Sequence, residues 1–248
     1  MSIGRLIIDT VNWARPFLKN MDLAVSPVLQ PAIDNANHVM QIMLSPPFAW
    51  PWNRKSIRIL PADFVAGTQD IAIVTTGIGF LPDLGYLELV SIDGGDAGSS
   101  TGQLGIETSL ASSSITEAQQ KGRPEKICVL FDDNDGNVTF RVRPPSDAAY
   151  SMEIIYQKKP PIIVDLGAPW APIPDEFAYI YDSGFLALGL ADQGDGLFQY
   201  FNQQFISHLL ARAQGLTELQ KNIFLADWLR ATQQSSAAAL LTQRGQLT

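Results

Sequence analysis

The sequence predicts an α+β protein, with N- and C-terminal helices forming a helical bundle and a central antiparallel β-rich region. Three observations predict it. Apolar residues recur at helical spacing near the start, at Ile3, Ile7, Val11 and Ala14, and again from Pro31 to Leu44. From about residue 57 to residue 165 the apolar period falls to two, in short runs bounded by Gly, Pro, Asp and Ser. Beyond Pro174 the helical period returns. The expected division is 1–56 for a helical segment with a Trp/Pro hinge, 57–165 for the β-rich region, and 166–248 for helices and a tail. Segments 1–56 and 166–248 are expected to pack together.

Each element has its own local reason. Pro16 interrupts the first helix, and the consecutive prolines of "SPPFAWPWNRKS" end the second, because proline cannot continue the hydrogen-bond ladder. The strand candidates are "GTQDIAIV", "YLELVSI", "KICVLF", "NVTFRVRP" and "AYSMEIIYQ". Their short separations suggest an antiparallel meander, and "DGGDAGSSTGQLG", residues 93–105, reads as a mobile small-residue loop. Pro174 suits a first helical position, with Asp175 and Glu176 at the positive end of the dipole. The following "FAYIYDSGFLALGLA" is apolar nearly all round, interrupted only by Asp182 and Ser183, so neighbours must cover it. Gly184 and Gly189 there are expected to admit a close backbone, and a neighbouring subunit is the expected partner. Phe198, Phe201, Phe205 and Leu209 stripe the next helix, which Gly215 stops. Thr217 and Gln220 form a capping box for a last helix. In that helix Leu219, Ile223 and Ala226 make one apolar line, and Phe224 and Trp228 a neighbouring one. The closing "QQSSAAALLTQRGQLT" has few large residues and reads as a frayed tail.

Charge and cysteine content narrow the function classes. The net charge of −8 argues against gripping nucleic acid through its phosphates, which takes clustered Lys and Arg. It suits a surface that nucleic acid slides past. Only 17% of residues are charged, below the usual quarter, and 46% are hydrophobic, a balance that favours hiding surface in an oligomer. The single cysteine, Cys128, excludes an internal disulfide and reads as a buried thiol. Arg5, Asp9 and Arg15 break any apolar core of a secretory signal, and no run reaches membrane-span length, so synthesis in the cytoplasm is expected.

Candidate chemical motifs fail on context. "FDDNDG" suggests a calcium loop, but with Gly136 at the sixth position the first and twelfth are Phe131 and Val142. A hairpin turn fits better, with Val138, Phe140 and Val142 facing one way and Thr139, Arg141 and Arg143 the other. "GSSTG" matches a nucleophile elbow at Ser100 with Asp and His downstream, yet it lacks the strand before and the helix after that the elbow requires. His38 and His208 lie in helices without carboxylate or cysteine at metal spacing. Trp50 and Trp52 read as a proline-stiffened aromatic hinge that anchors the β-region against the helices. Accordingly no catalytic, cofactor-binding or metal-binding residue is assigned, and no cofactor is expected. A small serine hydrolase using Ser100 remains the one alternative from another class.

The ordered set "PPFAWPWNR", "AGTQDIAI", "GRPEKICVLFDDNDGNVTFRVRPPSDAAYSMEIIYQKKPP" and "WAPIPDEFAYIYDSGFLAL" resembles the head-to-tail adaptor (connector or neck) proteins of tailed bacteriophages, including the tail-tubular type. Carrying the resemblance are Trp50-Pro51-Trp52, Gly122-Arg123-Pro124, Pro144 to Tyr150, Tyr156 to Pro161, and Pro174 to Phe177, over about residues 30 to 230. The resemblance implies a virion structural protein without enzymatic activity, assembled with itself as a dodecameric ring at the head–tail junction. Its implied partners are the portal protein and a downstream tail, nozzle or tail-tube protein. Genome DNA passes through without sequence-specific binding, and no membrane is involved. A stopper or tail-completion protein of the same neck is the nearest alternative.

Overall fold

The computed structural model describes residues 6–18, 30–73, 81–94, 102–108, 120–133, 135–165, 173–213, 216–226 and 228. The chain divides into two compact units, residues 1–53 with 160–248, and residues 54–159.

The first unit is helical. It contains α1 (Ile7–Ala14), α2 (Gln30–Leu44), 3-10 turns at Pro51–Asn53 and Asp175–Phe177, α3 (Ala178–Asp192), α4 (Phe198–Arg212) and helical residues 218–226. Ile7, Val11 and Ala14 give α1 its buried face, and Ile33, Ala36, Met40 and Leu44 do the same for α2. Both ends of the chain feed one core, which gathers Val11, Met40, Trp50, Tyr181, Phe185, Phe205 and Trp228. Burying each such large side chain stabilises by about 1.5–3 kcal/mol. The expected capping box is present: Gln220 N–H donates to Thr217 Oγ1 at 3.2 Å, and Thr217 N–H donates to Gln220 Oε1 at 2.9 Å. Gly215 and the tail beyond Trp228 lie outside the described residues.

In the second unit two sheets share one core. The first sheet has the order β1 (Arg54–Ile59), β8 (Tyr150–Lys158), β3 (Leu84–Gly94), β4 (Gly102–Gln103). The second runs β2 (Asp70–Ile73), β7 (Val138–Arg143), β6 (Lys126–Asp132), β5 (Gly105–Ile106). Inward residues alternate as the pleat demands: Met152, Ile154 and Tyr156 from β8 join Val138, Phe140 and Val142 from β7. The expected meander is therefore corrected. A single antiparallel sheet would leave that apolar face open, whereas two sheets cover one another. Nearly all pairs are antiparallel, and β5 with β6 is parallel.

Two further strand readings change. β1, "RKSIRI", has too many charges to show an apolar period, because it lies at a sheet edge where only Ile59 is fully inward. Of the stretch read as a mobile loop, Asp93 and Gly94 end β3, residues 102–103 pair with β3, and Gly105 begins the strand that pairs with β6; residues 95–101 lie outside the described set. The hairpin at Gly136 is as expected. Its φ of 103° suits glycine, and Asp133 Oδ1 accepts the N–H groups of Asp135 at 2.8 Å and Asn137 at 3.0 Å.

Candidate functional site

The helix read as the chain's surplus apolar surface, α3, is sheltered by its own chain. Ile180, Tyr181, Phe185, Leu186, Ala187 and Leu190 are all fully enclosed. The polar interruption is enclosed too, and satisfied: Thr10 Oγ1 donates to Asp182 Oδ1 at 2.7 Å, and Ser183 Oγ donates to Ile180 O at 2.8 Å. Tyr181 donates its hydroxyl to Ala36 O at 3.0 Å, and burial first, the Asp182 carboxylate second, holds its pKa well above the usual tyrosine value.

The glycines of α3 serve this same intrachain packing. A Cβ on Gly184 would stand 2.8 Å from Phe205 Cδ2 and 2.9 Å from Val39 Cγ1; one on Gly189 would stand 2.7 Å from Leu18 Cδ1. The subunit-contact reading of Gly184 and Gly189 is thereby corrected, since the close neighbours come from α2, α4 and Leu18.

Exposed apolar surface lies elsewhere in the helical unit. Trp13, Phe17, Phe201 and Tyr200 form a continuous aromatic ridge, with ring centroids 6.5, 5.8 and 5.1 Å apart along the chain of contacts. Trp13 is 40% exposed and Tyr200 56%. The sequence places Phe201 in the Phe198–Leu209 stripe and gives no reading of the others. The available signal was Trp13 and Phe17, four residues apart and off the Ile7–Val11–Ala14 line. A second feature is a groove of about 590 Å³ between the C-terminal end of α2, the Ser45–Phe48 turn and helical residues 220–224. Beside it, Leu219 and Ile223, the first of the two lines read in the last helix, face outward. Phe224 and Trp228, the second line, turn inward onto Phe48 and Phe205.

The segments that carry the resemblance are structural joints. Trp50 is buried, donates its indole N–H to Met43 O at 2.6 Å, and stacks on Trp52 at 5.5 Å. Phe177 closes that stack from the 3-10 turn after Pro174. In the β unit, Gly122 bridges to Ser146, where a Cβ would stand 3.1 Å from Pro144 Cγ. Ser146 Oγ donates to Val65 O at 2.7 Å and accepts Thr68 N–H at 3.1 Å. Tyr150 donates to Asp147 Oδ1 at 2.6 Å; burial, then that bond, pushes its hydroxyl up to about 12. Tyr156 donates to Asp83 at 2.9 Å, just before the chain leaves the β unit. Every piece of the pattern thus fixes a place where one element hands over to the next.

The β unit is laced by ion pairs. Asp70 receives both Arg141 Nε and Nη2 at 2.7 Å, and that guanidinium holds its carboxyl below the usual range. Asp83 sits in the same direction: burial pushes it up, but bonds from Lys55 and Tyr156 outweigh burial. Glu88 receives Arg54 and Gln157 and is likewise lowered against its burial. On the outer face of the first sheet, Arg58, Ser91, Asp93, Ser151 and Glu153 line a small polar recess of about 160 Å³. Leu130 and Phe131, 45% and 57% exposed, project beside the β6–β7 turn.

The residues weighed for chemistry are scattered. Ser100 lies outside the described residues. His38 lines the groove on α2, and His208 meets Tyr179 edge-on at 4.9 Å in α4. Cys128 is buried in β6. Among the described residues no three His, Cys, Asp or Glu side chains gather as a metal set, and no helix is long and apolar enough to cross a membrane.

The chain is thus a mixed α+β protein whose motif residues build joints and whose helical unit leaves aromatic side chains exposed. The chain belongs to the SU10 adaptor protein family, whose model matches residues 5–240. It is therefore a phage adaptor, a structural component of the virion. Comparison with curated proteins gives no match.

Proposed function

We propose that this chain is the head-to-tail adaptor whose subunits close into a dodecameric ring, attach to the portal and lengthen the DNA channel towards the tail. The family match over residues 5–240 is the observation that carries this reading. The aromatic ridge and the groove support it. A cyclic ring is heterologous, so each subunit needs two different patches, and the helical unit offers one projecting and one concave. The net charge of −8 supports a conduit that DNA traverses without adhering.

In this reading residues 1–56 and 166–248 act as one helical domain that meets neighbouring subunits and the portal. Residues 57–165 face the next tail component, where the exposed Leu130 and Phe131 are available. The role is structural, with no catalytic residue assigned. Removing residues 234–248 tests it: the shortened chain folds with an unchanged melting temperature and no longer cosediments with portal. Cosedimentation at wild-type levels contradicts the proposal.

A further inference from the structure

The helical unit carries two exposed surfaces of opposite form, on different elements. Trp13 and Phe17, at the end of α1, and Tyr200 and Phe201, at the start of α4, make the projecting ridge. The end of α2, the Ser45–Phe48 turn and helical residues 220–224 make the concave groove. Both stand on one core: Leu18, next to Phe17, packs on Gly189 of α3, and Phe224 of the groove wall packs on Phe48 and Trp228.

Charge and area say what covers them. Among the described residues that form them, neither surface includes a Lys, Arg, Asp or Glu; the groove's polar lining is His38, Gln41, Ser45 and Gln220. Bringing the two together therefore strips water from no carboxylate, ammonium or guanidinium, a step that is costly without a partner. Charge depletion with aromatic enrichment is also the composition of interface cores. A fully exposed aromatic side chain offers about 150–250 Å², so Trp13 at 40%, Phe17 at 39% and Tyr200 at 56% leave about 300 Å² on the ridge. A specific interface needs at least about 500 Å² from each partner, of which a little under about three-fifths is apolar. The ridge alone supplies that apolar share. On the other side the groove's 590 Å³ falls within the range of about 300–1,000 Å³ that holds whole drug-sized ligands, so aromatic side chains fit it. Leu219 and Ile223 extend its apolar wall outward.

The two surfaces also account for one another. In a heterologous contact every copy uses two different patches, so one contact, repeated, covers ridge and groove in every subunit. A foreign protein on either surface would leave the other bare, and ridge against ridge would set convex on convex. We propose that the ridge of one subunit seats in the groove of the next, with Tyr200 and Trp13 entering between Phe48 and Ile223 of a second copy of this chain. This pairing deepens the adaptor reading and rests on it.

Full-length chains assembled on portal test it by disulfide trapping and by charge exchange at exposed positions. Mixed and oxidised there, Tyr200→Cys chains and Ile223→Cys chains give a covalent adaptor dimer. The double variant gives a ladder of higher multiples, and either single variant alone stays a monomer, the native Cys128 being buried. Tyr200→Asp or Ile223→Lys alone lowers the adaptor bound per portal at least tenfold at an unchanged melting temperature, and both changes in one chain restore it. A missing mixed dimer, or no rescue by the pair, overturns the proposal. So does a Tyr200→Cys chain that links to its own kind or to portal. Wild-type chain that forms rings on portal while those tests fail keeps the adaptor reading and removes this contact; wild-type chain that never joins portal removes both.

Discussion

The helical unit encloses Tyr181, Phe185 and Phe205 completely and packs side chains directly onto Gly184 and Gly189, whereas the β unit pins its strands with Arg141–Asp70, Lys55–Asp83 and Arg54–Glu88. In the first, stability is a matter of volume. In the second, much of the definition comes from polar groups that fix where each turn begins and each strand ends. The contrast extends to the surface. The helical unit leaves an aromatic ridge and a groove outside, and the β unit leaves smaller apolar points such as Leu130 and Phe131. The abundance of apolar helix in the sequence is thus two things: a core that the chain shelters by itself, and a remainder that assembly can use.

The volume side is broken most severely at Gly184. Replacing it with leucine forces atoms into Phe205 and Val39, where the Cβ alone is already 2.8–2.9 Å away. Overpacking of this kind costs about 3 kcal/mol. Thermal unfolding should show the loss in the isolated subunit. A variant with wild-type stability that fails only in assembly would restore the subunit-contact reading of this glycine.

A smaller effect sharpens the polar side. Ser146→Ala removes the hydroxyl bonded to Val65 O and Thr68 N–H, in a residue with no exposed surface. Val65 O and Thr68 N–H keep their bond to each other at 3.1 Å, so the loss is that of the hydroxyl's own bonds, about 0.5–1.5 kcal/mol. Denaturant titration should register it, with unchanged slope. A loss below about 0.3 kcal/mol would show that Ser146 is not needed to hold the Val65–Thr68 turn.

Smallest is the acid response of the β unit. Asp70, Asp83 and Glu88 all have folded pKa values below the ordinary carboxylate range. A lowered carboxyl stabilises the fold above its unfolded pKa of about 4, and that contribution fades as pH falls through the folded value. Stability should therefore be flat from neutral pH to about pH 5 and decline below about pH 4. Because Asp70 and its partner are well exposed, Arg141→Gln should shrink the decline only slightly. A profile that rises on acidification would mean these pairs do not act as described.

Much of this was legible in the sequence, and the misses have physical causes. Helices α1 to α4, the Thr217–Gln220 box and the Gly136 hairpin follow from period and turn chemistry, which are local. The pairing order was not local. β8 lies between β1 and β3 because two sheets must cover one apolar face, and nothing in a short run announces its partner. β1 was obscured by Arg54, Lys55 and Arg58, charges that an edge strand tolerates. For the candidate surfaces the difficulty was different. An all-apolar helix says that it must be covered without saying by what, so α3 pointed to a partner chain when its cover was α1, α2 and α4. Trp13, Phe17 and Tyr200 drew no reading, since a sequence does not reveal which of several apolar lines ends up outermost.

An electron cryo-microscopy map of the head–tail junction, at a resolution that traces this chain, tests the account most directly. The account predicts a closed ring of subunits beneath the portal in which Trp13, Phe17 and Tyr200 are covered by another chain and α3 keeps its intrachain neighbours. A solitary subunit, or a ring in which that aromatic ridge faces open solvent, would contradict it.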